Sequence, residues 1–218
     1  MKVFGAILWG AIELVSIILF ARKKLIFQNE NIDVEEKKDN IRKKWIGIFV
    51  LIAIICGWRT SGMVQSTLDC IKVLLIYVAF SIAMMTDLEA FIIPNILSIG
   101  LLVGRVLIFI PEFIVRGSDA KAFLFESIVG GIISLVLLLI VSLITKGGFG
   151  MGDVKILSAE GFMIGLYGVI NTLLYALIVC AICALILLAM NKKKLKDKLP
   201  FAPFIYAGFV ICLLMGGF

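Results

Sequence analysis

The chain has 218 residues, of which 62% are hydrophobic and 17% charged, and its mean hydropathy is +1.14. A soluble domain carries about 25% charged residues, so this composition excludes an ordinary soluble enzyme. There is no histidine, which removes Ser-His-Asp triads, Cys-His pairs and H-E-x-x-H zinc chemistry and leaves carboxylates, lysine, hydroxyls and cysteine for any catalysis.

The apolar runs are numerous and evenly spread. They predict an all-α, polytopic transmembrane helical bundle of about eight membrane helices, forming a single membrane domain over residues 1–218. The first span is expected at residues 3–21; no small-x-small cleavage site precedes Arg22-Lys23-Lys24, so it reads as a retained helix. Glu13 within it fits a residue facing the bundle interior. Residues 22–44 hold eight Lys/Arg and five Asp/Glu. Val34, Ile41 and Trp45 fall on one stripe behind Asp33 and Glu36, a pattern that suits an interfacial helix and equally a solvated loop.

A short second span is expected at 46–57, between Trp45 and Trp58. A polar connection at 59–72 leads to a third span that ends at Thr86, just before Asp87. The segment TDLEAFIIPN then places two carboxylates, Asp87 and Glu89, ahead of Pro94-Asn95, which favours an extended turn before the next helix. The fourth span is expected from 96 to about 115 and includes Arg105, which needs a partner or a route to the interface. Residues 111–127 read as a second polar connection. The fifth span is expected at 127–145, the sixth from 153 to about 167, the seventh at 169–190 and the eighth from 200 to about 216. Of the five cysteines, Cys180 and Cys183 form a C-x-x-C inside an uninterrupted apolar run, where small packing residues are expected rather than a metal or redox site.

Lysine and arginine set the orientation. The alternate connections 22–44, 87–95, 146–155 and 191–199 contain 8, 0, 2 and 5 basic residues, 15 of the 21 in the chain, so this set is assigned to the cytoplasm and 22–44 becomes a cytoplasmic loop. Asp87 closes the third span and Asp153 opens the sixth. The two intervening spans return the chain to the same side, so both aspartates are expected at the cytoplasmic membrane boundary.

Asp153 stands in KGGFGMGDVKILSAEG, residues 146–161, directly after Gly150-Met151-Gly152. Glycines there relax the backbone limits and let a partner chain approach, while a carboxylate at membrane depth costs about 2.5–3.5 kcal/mol and asks for a reason. Two carboxylates a few ångströms apart share one proton, so one can act as a base on water while the other polarises a peptide carbonyl. The alternative is that each aspartate is simply an interfacial helix-end residue.

Three separate segments resemble the type IV prepilin peptidases, membrane aspartyl proteases of the GxGD type: Asp87 with Pro94-Asn95, Gly150-Met151-Gly152-Asp153-Val154-Lys155, and Pro200-Phe201-Ala202-Pro203-Phe204 opening the last span. The resemblance covers about residues 45–218. It implies that Asp87 and Asp153 are the catalytic pair, that Gly150 and Gly152 admit the substrate backbone, and that Lys155 sits close to the dyad. Pro94, Asn95, Pro200, Phe201 and Pro203 would support the site. It further implies cleavage of prepilins or pseudopilins, after a short basic leader, at the cytoplasmic membrane of a prokaryote, without metal, nucleotide or other cofactor. Long members carry a cysteine-pair zinc module after the first span and also methylate the new N-terminus. Residues 22–44 contain no cysteine, so a short, peptidase-only form is expected.

Presenilin-like proteases share G-x-G-D, but Thr86 stands where they carry tyrosine and no Pro-Ala-Leu lies near the last span. A non-catalytic transporter or pilus-assembly scaffold would instead use Glu13, Arg105 and Glu160 to line a pathway. Glu160, two helical turns after Asp153, could perturb the dyad or pair with Arg105, though polar packing is the simpler reading. A Mg²⁺-dependent phosphotransferase would want more carboxylates than Asp87, Glu89 and Asp153. The net charge of +6 fits anionic membrane lipid as a partner, and no nucleic-acid motif is present.

Overall fold

A computed structural model describes residues 9–12, 15, 51–59, 67–117, 120–145, 149–190 and 199–216. The chain divides into two compact units, Met1–Gln65 and Ser66–Phe218. In the first, residues 9–12, 15 and 51–59 are helical. The remainder of the first two expected spans, Glu13 and the whole of 22–44 lie outside the described residues.

The second unit contains five helical stretches: α1 (Thr67–Ala90), α2 (Asn95–Arg116), α3 (Ala120–Ile144), α4 (Met151–Ala189) and α5 (Ala202–Met215). No strand occurs among the described residues. Four of the five are long and apolar enough to cross a membrane, and α5, with 14 residues, is shorter. The outward faces of α2 and α3 expose Val106, Leu107, Ile114, Ile132 and Leu143, side chains that suit contact with lipid rather than water. α2 coincides with the expected fourth span to within a residue at each end, whereas α3 starts at Ala120, ahead of the expected fifth span at 127. The polar residues assigned to a connection at 111–127 belong to helices: α2 runs through Pro111 to Arg116, and α3 begins at Ala120 with Lys121 and Glu126 on its exposed side. The connection expected at 59–72 likewise gives way to α1 at Thr67.

The 39-residue α4 is interrupted at Gly165, whose φ of 82° and ψ of 178° are non-helical and are open essentially only to glycine. Thr172 Oγ1 donates a 2.6 Å hydrogen bond to Glu160 Oε1. In a continuous helix twelve residues advance about 18 Å, out of reach for two side chains, so the segments 151–164 and 166–189 must fold back on each other at Gly165. The sequence placed this break near 168; the glycine that takes the forbidden backbone conformation lies three residues earlier.

Bare glycine surfaces let the backbones meet. A Cβ on Gly208 of α5 would lie 2.5 Å from Thr172 O and 2.6 Å from Ala176 N, and one on Gly130 of α3 would lie 2.5 Å from Leu166 N. Small residues at such crossings are what membrane helices use to gain close packing. The core of the unit is completed on α1 and α5, where Tyr77 and Tyr206 share a 2.6 Å hydroxyl hydrogen bond and the rings of Phe80 and Phe209 meet edge to face at 5.2 Å.

Candidate active site

The chain turns at one end of this bundle three times, at 91–94, between α3 and α4, and ahead of α5, and the sequence-predicted site residues gather there. α1 ends in Phe91, the one non-glycine residue with positive φ (53°) among those described. Its N–H donates to Asp87 O at 2.9 Å, an αL helix stop that holds Asp87 in the last turn. α4 starts at Gly150 as N-cap, with Asp153 at its third position, and the Asp153 carboxylate reaches back to the Gly150 backbone N–H. That is half of a capping box, made by the carboxylate without a hydroxyl partner. Phe149, just before, is fixed by Ser142 Oγ donating to its carbonyl at 2.9 Å and by an edge contact of its ring with Phe201 at 5.2 Å.

Asp87 and Asp153 are both 7% exposed. Both sit at the same end of the bundle: the ring of Phe149, four residues before Asp153, meets Phe201, next to the amide that binds Asp87. Their hydrogen bonding differs. Asp87 Oδ2 accepts a 3.0 Å bond from Ala202 N, and the Phe201 backbone donates to the same carboxylate. Asp153 Oδ1 is buried with no hydrogen-bond partner.

The glycines of the motif leave room for the chain's own groups. A Cβ at Gly150 would meet Asp153 Oδ2 at 2.8 Å, and one at Gly152 would meet Ile93 Cβ at 2.9 Å. The connection before Pro94 therefore packs directly on the start of α4. Lys155 is exposed and donates a 3.0 Å hydrogen bond to Asn95 Oδ1, tying α4 to the first residue of α2 beside the aspartates. Pro200, Phe201 and Pro203 are half-buried around the start of α5, where Pro203 occupies an early helical position that needs no N–H. Glu89 is exposed on the last turn of α1.

Sequence reasoning missed the Ala202 amide, Phe149 and Ile93. An amide donor has no side-chain signature, but the Pro-x-x-Pro spacing that fixes where α5 begins pointed to that segment.

Two other charged residues find polar partners, as the sequence asked of them, but not each other. Arg105 does not meet Glu160. Its Nη1 bonds Glu112 Oε2 at 2.5 Å and its Nε and Nη2 bond Ser127 Oγ, while Lys72 forms an ion pair with the other Glu112 oxygen. Glu112, which falls both in the expected fourth span and in the connection read at 111–127, was not singled out by the sequence. Glu160, fully buried, bonds Thr172 instead. Among the described residues no group of three or more Cys, Asp or Glu side chains is placed to hold a metal ion.

The described residues define an all-helical protein with membrane-length helices and two buried carboxylates at one end of its bundle. The chain belongs to the type IV leader peptidase family, whose model matches residues 73–185, more than half of it. The matched region includes Asp87, Pro94-Asn95 and Gly150 to Lys155, and ends before Pro200. The chain is also similar to a prepilin leader peptidase/N-methyltransferase of Bacillus subtilis (strain 168), 26% identical over 138 residues, which are 62% of this chain and 52% of that protein. The match thus spans about half the length of that relative. No solved structure gives a significant match.

Proposed function

We propose that the protein is a multi-pass aspartyl endopeptidase of a prokaryotic cytoplasmic membrane that removes the leader peptide of prepilin-like or pseudopilin-like substrates at the cytoplasmic face. In this reading Asp87 and Asp153 share one proton and activate a water against the scissile peptide bond. The observation that carries it is that two buried carboxylates from distant segments are seated at one end of the bundle, Asp87 on the Ala202 amide and Asp153 four residues after Phe149, whose ring meets Phe201. Family membership and the similarity to a prepilin leader peptidase/N-methyltransferase supply the substrate class.

The cytoplasmic assignment rests on the 15 basic residues of the connections on that side, and a bundle of about eight membrane helices in one membrane domain follows from the same apolar runs. Gly150, Gly152, Lys155, Pro94, Asn95, Pro200, Phe201 and Pro203 would shape the surroundings of the dyad. Residues 22–44 lack cysteine, which supports peptidase activity without the methyl transfer named for the relative.

Co-expression with a prepilin-like protein, read by immunoblot for the size shift, tests the proposal. Cleavage is expected with the native chain and lost with either Asp87→Asn or Asp153→Asn. Processing that survives both substitutions removes the dyad reading.

A further inference from the structure

The two carboxylates of the site are held unequally, and that inequality divides the labour between them. Asp87 accepts main-chain N–H groups from Ala202 (3.0 Å) and Phe201, where α5 begins. These amides precede the helical ladder and have no acceptor of their own within α5, and the positive end of the helix dipole lies behind them. Such donors favour a carboxylate over a carboxylic acid. Asp153 spends one side of its carboxyl group on Gly150 N–H and keeps Oδ1 buried and without a partner. A buried bare carboxylate oxygen is costly, whereas a protonated Oδ1 becomes a donor poised for an incoming acceptor.

We propose that the Ala202 N–H is a positioning group that fixes Asp87 as the unprotonated member of the pair, so that Asp87 is the base and Asp153 Oδ1 carries the shared proton. The inference rests on the dyad reading above. Asp87 takes a proton from water as the water oxygen bonds to the peptide carbonyl carbon, and the Asp153 proton moves to the carbonyl oxygen. On collapse the C–N bond breaks, the proton on Asp87 passes to the departing amine, and one hydroxyl proton of the gem-diol returns to Asp153. The pair ends with the single proton it began with, and one water is consumed.

The other titratable groups on the elements around Asp87 do not take this role. Lys155 on α4 is engaged with Asn95, Glu89 on α1 is exposed, Tyr206 on α5 bonds Tyr77, and Cys212 lies three turns along α5. α2 offers only Asn95 at its start.

The test is a full-length chain carrying lactate in place of Ala202, which turns the Phe201–Ala202 amide into an ester and deletes the donor alone. A second ester, at Phe204, removes an N–H that bonds Phe201 O within the same helix start and does not touch Asp87. With a purified prepilin-like substrate followed by mass shift, the 202 ester is expected to move the acidic limb of the kcat/KM profile upward by about one pH unit. At pH values below the limb the rate should fall about tenfold with KM within about twofold, while the 204 ester leaves the limb in place. A 202 ester whose rate drops equally at every pH, or a limb that moves as far in the 204 ester, overturns the positioning role. Cleavage by Asp87→Asn with an unchanged profile removes the dyad reading itself, a different result from either.

Discussion

Ile93 fills the space a side chain at position 152 would need, its Cβ 2.9 Å from where a Cβ on Gly152 would stand. The neighbour is the root of a side chain, not a flexible tip, so it yields only if the 91–94 connection moves. Gly152→Ala should therefore shift that connection away from α4 and loosen the end of α1 that carries Asp87. Since a displacement of about 1 Å in a catalytic group can cost 10²-fold in rate, cleavage should fall by at least tenfold while the chain stays folded. Gly100→Ala is the control: a Cβ there meets nothing within 4 Å. Activity should be unchanged and thermal stability unchanged or slightly raised, since alanine is the better helix former.

The hairpin in α4 depends on two features that can be removed separately. Gly165→Ala introduces no clash, because nothing lies within 4 Å of the new Cβ, so its whole cost is the backbone conformation, about 1–3 kcal/mol. Thr172→Val deletes the donor to Glu160 and leaves a fully buried carboxyl group with neither oxygen bonded, also about 1–3 kcal/mol. Chemical denaturation in detergent should register both losses. Thr172→Ser, which retains the hydroxyl, should lie much closer to the native chain.

Much of this architecture could be read from the chain, and the exceptions share a cause. The apolar runs placed α1 to α5, and the two spans between Asp87 and Asp153 returned the chain to the same end of the bundle. The start of α3 was missed because Lys121 and Glu126 look like a connection in one dimension, whereas on a helix they form its exposed side. Glu112 stands seven residues after Arg105 on the same helix, but nothing in the sequence sets that pairing apart from other carboxylates. Partners such as Lys72 and Glu112 are forty residues apart and meet only through packing. The donors to Asp87 are main-chain groups, which no pattern of side chains announces.

Glu112 is the centre of an ionic group at the opposite end of α1 and α2 from the aspartates. It joins Lys72 and Arg105, while Asp69 pairs with both Lys72 and Arg116. Glu112 is 1% exposed, so Glu112→Gln should leave buried Arg105 with no carboxylate and Lys72 with Asp69 alone, and cost about 3–5 kcal/mol. The triple variant Glu112→Leu, Lys72→Met, Arg105→Met removes the charges together and should recover most of that loss, because an apolar replacement of a buried ionic cluster is often neutral or stabilising. Thermal melts of the three chains in one detergent decide this. A triple variant as unstable as Glu112→Gln would mean that the charges contribute more than their mutual pairing.

Phe91 ends α1 with a left-handed backbone, φ 53°, a conformation that costs a residue with a Cβ about 1–2 kcal/mol. Its side chain is exposed, so packing offsets little of that cost. Its N–H caps Asp87 O, and the strained residue thus stands four positions from the aspartate it helps to seat. Strain held at a functional site is expected to be relieved at some cost in function. Phe91→Gly should therefore raise the melting temperature, yet lower the rate of leader cleavage, because a relaxed glycine no longer fixes the turn that aims the last helical turn of α1. Phe91→Asn, which tolerates the left-handed region, should gain part of the stability and keep most of the activity. Parallel melting curves and cleavage rates on the three chains separate the effects; a glycine variant that is more stable and fully active would show that the turn needs no strain to seat Asp87.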